Sequence, residues 1–88
     1  EGLTVSLAAE LAPNIRINCI APSLTKSKMA KSVIKNEKIE ESIAKLHPLK
    51  RIGDPLDSAN LANFLLSENS SWITGQIIGV DGGRSTLV

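Results

Sequence analysis

The sequence predicts an α/β fold, in which helices alternate with short strands of a parallel sheet. Three observations support this prediction. A helical pattern at Gly2–Ala12 is followed, after a two-residue turn, by an apolar strand at Ile15–Ala21. A second clear helix begins at Asp54, and a second apolar strand, Gln76–Val80, follows it. A helix, a short turn and a strand make half of a parallel crossover unit, and about two strands and four helices are expected in all.

The first helix is predicted from its apolar spacing. Leu3, Leu7 and Leu11 recur at every fourth residue and form one apolar stripe on a helix. Neither an initiator Met nor a capping Ser, Thr, Asp or Asn precedes this pattern. The chain is therefore expected to be a fragment of a longer protein, produced by proteolysis or by the choice of its boundaries.

The first strand leads into a polar loop. Ile and Cys19 suit a buried pleated surface, and Pro22 ends the strand because proline has no N–H to donate to a ladder. Three hydroxyl side chains then follow within five residues, on Ser23, Thr25 and Ser27. Open α/β sheets bind ligands beyond the carboxyl ends of their strands, so this loop is predicted to be a binding loop.

The composition changes in residues 26–51, which hold eight of the ten basic residues. Two short amphipathic helices are expected here, the first over Met29–Ile34 and the second over Ile39–Leu46, ending near His47. They have the character of a cover over a site. Their lysines form either a solvated face or an attraction for an anionic substrate or cofactor phosphate. His47 is either a surface cation at a helix end or a catalytic base.

The helix over 54–67 has the strongest start signal of the chain. Asp54 can cap it, Pro55 suits the first helical position, and Asp57 places negative charge in the first turn. Asp57 is interpreted as that charge or as a partner for Arg51, in preference to an acid catalyst. A buried stripe is expected at Ala59, Ala62, Leu65 and Leu66.

The remaining residues predict a strand between two turns. Trp72 is expected to be a packing anchor ahead of the strand Gln76–Val80. Asp81-Gly82-Gly83 then breaks the strand as a turn. A phosphate cradle is not expected there, because no helix N-terminus follows.

Composition excludes several classes of function. The net charge is +1 and Phe64 and Trp72 are the only aromatic residues, so a nucleic-acid partner is not expected. A single cysteine is typical of proteins in a reducing cytoplasm. With one His and one Cys, a Cys/His zinc site is not expected. No apolar run approaches the roughly 20 residues that a membrane span needs.

Four motifs, taken in order, resemble the C-terminal third of a short-chain dehydrogenase/reductase. They are Gly-Leu-Thr…Leu-Ala-Ala-Glu-Leu at 2–11, Ile-Arg-Ile-Asn-Cys-Ile-Ala-Pro at 15–22, His-Pro-Leu-Lys-Arg-Ile-Gly-Asp-Pro at 47–55 and Ile-Thr-Gly-Gln…Val-Asp-Gly-Gly at 73–83. The resemblance implies the C-terminal part of a Rossmann-like doubly wound parallel sheet. It also implies an NAD(P)-dependent oxidoreductase that moves a hydride between nicotinamide and a small carbonyl or alcohol substrate.

The resemblance assigns the cofactor-binding residues. Pro22 and Ser23 match the family's Pro-Gly pair, with Ser in place of the usual Gly. Backbone groups near Leu24 and Thr25 would contact the nicotinamide carboxamide. Ser27 matches a hydroxyl residue of the family, a role compatible with its alternative as a helix N-cap.

No catalytic residue and no metal ligand is predicted in this chain. The family's Tyr-x-x-x-Lys would fall just before Glu1, and its Gly-rich pyrophosphate turn has no match here. The parent protein is thus expected to use NAD or NADP, whereas the isolated chain is expected to be inactive and to hold no cofactor.

Residues 1–88 are predicted to be the C-terminal portion of a single Rossmann-like domain. Within it, 26–51 would be the substrate lid, 54–67 a helix and 76–80 the last edge strand. In the family that strand often packs across a subunit interface, so a homo-oligomer is expected, including one that exchanges elements between copies. The alternative is a non-enzymatic module that works by self-association.

Overall fold

The computed structural model describes residues 1–23, 25 and 37–87. Three helices are present in this part of the chain, α1 (Gly2–Leu11), α2 (Glu37–Lys45) and α3 (Pro55–Leu65), with a 3₁₀ turn at Glu68–Ser70. The strands β1 (Cys19–Pro22) and β2 (Ile77–Val80) pair in parallel, with Cys19 opposite Ile77 and Pro22 opposite Val80. The α/β prediction is confirmed. The helix expected over Met29–Ile34 lies outside the described residues.

The first strand begins four residues later than predicted. Ahead of it the Ile17 carbonyl accepts from the amide of Gly75 at 2.7 Å, but the other hydrogen bonds to the second segment involve side chains. The amide of Ile17 donates to Thr74 Oγ1 at 3.0 Å, and Asn18 Oδ1 accepts from the amide of Gln76 at 3.1 Å. Regular pairing starts only at Cys19, whose amide donates to the Gln76 carbonyl at 2.8 Å. Pro22 ends the strand, as predicted.

The apolar stripe of α1 is covered at one point. Ala8 is buried, and it packs on Gly75, where a Cβ would lie 3.5 Å from that of Ala8. Gly75 has a φ of +73°, a conformation that glycine adopts without steric cost. Leu3, by contrast, is 71% exposed, so the predicted apolar stripe is not covered at the first turn of the helix. The segment around Gly75 crosses the helix at Ala8 and does not extend to its first turn.

Three further packing predictions are wrong, and the first is that for Ala59, which is exposed. Leu66 is 85% exposed because α3 ends at Leu65, and Leu66 lies in the turn that follows. Trp72 is 99% exposed, since the turn after the 3₁₀ segment directs Ile73 toward the chain and Trp72 away from it. Among the described residues the buried apolar side chains are Ala8, Ile52 and Leu65. The hydrophobic core of the described chain is therefore small.

The start of α3 agrees with its prediction. Asp54 is the N-cap, Pro55 is the first helical residue, and Asp54 and Asp57 form a capping box. The helix ends at Leu65, two residues before the predicted end, because Ser67 turns back and its hydroxyl donates to the Phe64 carbonyl at 2.7 Å. None of the helices in the described ranges is long and apolar enough to cross a membrane.

Candidate functional site

A cleft of about 380 Å³ opens where the two strands end. β1 and β2 are parallel, so their carboxyl ends lie at the same edge, which is where sheets of this kind bind ligands. The loop after β1, the turn after β2 and the segment between α2 and α3 all contribute to its wall. Its polar lining residues include Ser23, His47, Arg51, Asp57 and Asp81.

The structure holds the described part of the predicted cofactor loop at this edge. Pro22 is exposed and pairs with Val80, and the amide of Ser23 donates to the Val80 carbonyl at 3.2 Å. Thr25 forms an isolated parallel bridge with Gly53. Leu24 and Ser27, the other two predicted cofactor-binding residues, lie outside the described residues.

His47 occupies the back of the cleft and is 3% exposed. Its Nε2 lies 2.9 Å from Ser23 Oγ, and its Nδ1 lies 2.9 Å from the Ile43 carbonyl oxygen. The prediction of a surface cation is therefore wrong. The pairing was missed because Ser23 and His47 are far apart in sequence. A signal was available in the Ser that replaces the family's Gly, since a hydroxyl at that place needs a partner.

Arg51 and Asp57 form a bidentate ion pair at the cleft wall. The guanidinium donates to both carboxylate oxygens, at 2.8 and 3.1 Å. Asp57 also accepts from the backbone amide of Asp54 at 2.8 Å. These two interactions, the Arg51 hydrogen bond first, lower the pKa of Asp57 from 3.8 to about 2. Asp57 is thus both the helix-start charge and the partner of Arg51, and both interpretations offered for it are confirmed.

Acid is expected to weaken the start of α3. Because the pKa of Asp57 is lower in the folded chain, its stabilising contribution is complete above pH 3.8 and is lost as the pH falls toward about 2. Asp57→Asn removes this contribution, so the variant is expected to show a smaller loss of unfolding free energy between those pH values. The measurement is urea denaturation followed by circular dichroism at a series of pH values.

Glu68→Gln is the control for this experiment. Glu68 is an exposed carboxyl in the 3₁₀ turn. Its replacement is expected to keep the acid-dependent loss seen in the unaltered protein. An Asp57→Asn profile that runs parallel to the unaltered one would contradict the assignment.

Asp81 organises the turn that follows β2. Its carboxylate accepts from the Ser85 hydroxyl and from the backbone amides of Gly83 and Ser85, at 3.0 and 3.2 Å for the two amides. The Ser85 hydrogen bond is the main reason that the pKa of Asp81 lies below its usual value. Residues 81–83 are therefore the predicted turn, and the Asp81 carboxylate holds it together.

A second polar cluster forms around Arg16, just before the amino end of β1. The Arg16 guanidinium donates to four oxygens of the segment that joins α3 to β2, which are the Ser70 carbonyl and Oγ, each at 3.0 Å, and the Ile73 and Ser67 carbonyls, each at 3.3 Å. Ser70 is 1% exposed. The sequence indicated only that Arg16 faces away from Ile15 and Ile17. This cluster holds the chain ahead of β2 in place.

The described residues carry no group of three His, Cys, Asp or Glu side chains placed to hold a metal ion. The groups that the described cleft offers are a hydroxyl, an imidazole, an ion pair and backbone amides. Such groups bind and orient a polar ligand. Lys38, Lys45 and Lys50, from the predicted lid, have exposed side chains, in agreement with a solvated face.

Comparison with known proteins gives consistent results. A family profile described as enoyl-(acyl carrier protein) reductase matches residues 1–85. Human dehydrogenase/reductase SDR family member 4 is 45% identical over 83 residues, which are 93% of this chain and 30% of that protein. Tropinone reductase-like 3 from Erythroxylum coca is 42% identical over 82 residues, or 93% of this chain and 32% of that protein. The chain thus spans about a third of the length of these relatives.

Solved structures give the same result. YwfH, an NADPH-dependent reductase involved in bacilysin biosynthesis, matches with a TM-score of 0.90 and 36% identity over 99% of this chain and 37% of that one. Aldohexose dehydrogenase from Thermoplasma acidophilum, in a C-terminal deletion form, matches with a TM-score of 0.89 and 31% identity over 96% of this chain and 40% of that one. These similarities confirm the Rossmann-like prediction.

Proposed function

Since this chain belongs to the short-chain dehydrogenase/reductase family, we propose that the whole protein is an NAD(P)-dependent oxidoreductase. It moves a hydride between nicotinamide and the carbonyl or alcohol carbon of a small molecule. The main structural support for this proposal is the hydroxyl-bearing loop after β1. It borders a cleft at the carboxyl edge of the parallel strands.

The loop after β1 supplies the nicotinamide side of the site. The residues predicted to bind the cofactor are Pro22, at the end of β1, and Ser23, Leu24, Thr25 and Ser27, which follow it. The described members fit this role, because Ser23 is held to Val80 through its amide and Thr25 is bridged to Gly53. A loop fixed at two points presents its polar groups with little entropy left to lose on binding. The cofactor, when bound, supplies the hydride, and this loop orients the carboxamide of its nicotinamide ring.

The activities named for the similar proteins support the substrate class. One is an aldohexose dehydrogenase, one is tropinone reductase-like, and one is an NADPH-dependent reductase. These names point to carbonyl or alcohol groups on small molecules.

Cofactor-dependent turnover by the whole protein is the test of this function. It is expected to oxidise NADPH or NADH in the presence of a carbonyl compound from a panel of sugars, ketones and aldehydes. The measurement is the loss of reduced-nicotinamide absorbance, with the product identified by mass spectrometry. Absence of turnover with every member of the panel and both cofactors would contradict the proposal.

The isolated 88-residue chain is the control in the same assay. It contains no tyrosine, and the family's proton donor is a tyrosine. We expect no turnover from it, because the loop and the lid orient ligands but supply no proton donor. Carbonyl reduction by the isolated chain would contradict the assignment of chemistry to residues outside it.

Self-association is part of the proposal. Two large apolar side chains, Leu66 and Trp72, are 85% and 99% exposed and lie on either side of the 3₁₀ turn that follows α3. Exposed apolar surface of this kind favours association, either by surface contact or by exchange of elements between copies. The lone free cysteine, Cys19, supports a reducing cytoplasmic location.

Light scattering is expected to find more than one copy of the whole protein per particle. The double variant Leu66→Gln/Trp72→Gln is expected to lower the apparent mass, whereas Leu87→Gln, another exposed apolar residue, serves as the matched control. A monomer at every concentration would contradict self-association. If the protein associates but shows no cofactor-dependent turnover, the non-enzymatic interaction module becomes the better description.

A further inference from the structure

We propose that His47 is a positioning residue that fixes the hydroxyl of Ser23, and through it the loop after β1, so that Ser23 Oγ presents an acceptor to the carboxamide N–H₂ of the nicotinamide. This inference deepens the proposed function and rests on it. Family members with the usual Gly at the position of Ser23 have no hydroxyl there and cannot form the His47–Ser23 hydrogen bond. It adds a side-chain contact to a loop whose other expected contacts come from its backbone.

The imidazole of His47 is held from two sides. Its Nδ1 lies 2.9 Å from the Ile43 carbonyl, which can only accept, so Nδ1 carries the proton of this hydrogen bond. On the other side, the position of a Cβ on Gly82 is 3.5 Å from His47 Cβ and 3.9 Å from Cδ2. With a side chain only 3% exposed, the ring has little room to turn. The direction of Nε2 is therefore fixed.

This arrangement sets the role of the Ser23 hydroxyl. A neutral imidazole with its proton on Nδ1 has a bare Nε2, which accepts a hydrogen bond. Ser23 Oγ, 2.9 Å away, then donates its only proton to Nε2. The Ser23 oxygen lines the cleft, and toward the cleft it can then offer only its lone pairs. Ser23 therefore favours a ligand group that donates, and an amide N–H₂ is such a group.

The same segment also holds the loop one step further along. His47 contacts Ser23, and Gly53 bridges to Thr25. Both contacts come from the segment that connects α2 to α3. The amide of Leu49, in the same segment, donates to the Gly82 carbonyl at 3.0 Å and ties it to the turn after β2. The loop after β1 is thus bonded to the segment between α2 and α3, and that segment is bonded to the turn that follows β2.

Four variants of the whole protein test the inference, namely Ser23→Ala, His47→Leu, the double variant and His47→Gln. Loss of one hydrogen bond is expected to raise the KM for reduced cofactor about fivefold in either single variant, with little change in kcat. The double variant is expected to be no worse than the single ones, because both remove the same bond. His47→Gln, whose side-chain amide can still bond to Ser23, is expected to recover part of the affinity.

A cofactor analogue separates positioning from general packing. In the 3-acetylpyridine form of the dinucleotide, a methyl ketone replaces the carboxamide and has no N–H to donate. Ser23→Ala is expected to weaken binding of the natural cofactor but to leave the Kd of this analogue unchanged, as measured by calorimetry. An equal loss for both dinucleotides would overturn the proposed contact.

Hydrogen exchange reports on the loop without cofactor or turnover. Exchange at the amides of Ser23 and Thr25 is expected to rise in Ser23→Ala and His47→Leu by similar factors. If the protein proves to have no oxidoreductase activity, the proposed function fails, and unchanged exchange in both variants would separately overturn the fixing of the loop. Additive effects of the two substitutions on KM, in an active enzyme, would overturn it as well.

Discussion

Replacing Arg16 with alanine is expected to lower the free energy of unfolding by about 1.5–3 kcal/mol, which is the usual contribution of hydrogen bonds to a charged group. Its guanidinium serves four oxygens, and two of them belong to Ser70, which is 1% exposed. Each carbonyl acceptor keeps a second donor, so the expected cost is that of the lost charged hydrogen bonds alone. The measurement is urea denaturation of the whole protein.

Arg16→Lys is the matched control. Lysine keeps the charge and much of the aliphatic stem, but its single ammonium group cannot reproduce a planar fork that reaches Ser67, Ser70 and Ile73 together. We expect this variant to recover part of the stability. A loss below about 1 kcal/mol in Arg16→Ala would contradict the view that this cluster fixes the connection ahead of β2.

Gly83→Ala is expected to destabilise the turn after β2 by about 2–3 kcal/mol, from left-handed backbone strain of about 1–2 kcal/mol together with steric overlap. Gly83 has a φ of +87°, and a Cβ there would lie 2.9 Å from Leu87 Cδ1 and 3.2 Å from Pro48. The Leu87 side chain can move aside, but the Pro48 ring cannot. Denaturation gives the total cost, and exchange at the Leu49 amide reports the local loss of its bond to Gly82.

Two controls accompany the Gly83 variant. Gly83→Ala/Leu87→Ala removes one of the close contacts and is expected to restore a minor part of the stability, since the φ and Pro48 remain. Gly2→Ala places a methyl group in open space within α1 and is expected to be neutral or slightly stabilising. A Gly83→Ala variant as stable as Gly2→Ala would show that the turn accommodates a side chain.

Features that depend on neighbours in sequence were predictable. The start of α3 follows from Asp54, Pro55 and Asp57, because capping and first-turn charge act within three residues. The turn at residues 81–83 follows in the same way from one Asp and two glycines. The position of the loop after β1, at the carboxyl edge of the two strands, was also predictable, because the loop directly follows an apolar strand.

Features that depend on partners distant in sequence could not be predicted. The exposure of Trp72 reflects which residue of a turn faces inward, and hydrophobicity does not determine this. The late start of β1 depends on Asn18 and Thr74, whose side chains substitute for ladder bonds across 55 residues or more. The Ser23–His47 pair likewise forms only when α2 brings the end of its segment to the sheet. The spacing of apolar residues along the sequence does not identify such distant partners.

The pairing of β1 with β2 also has a consequence for the time course of synthesis. Asn18 and Gln76, which open the pairing, are 58 residues apart. At about 5–20 residues per second, β1 leaves the ribosome roughly 3–12 s before its partner exists. Contacts between such distant residues also form slowly, whereas α3 can form as soon as it emerges. Nascent chains therefore carry an unpaired Cys19–Pro22 edge for seconds, the interval in which chaperone capture competes with misassembly.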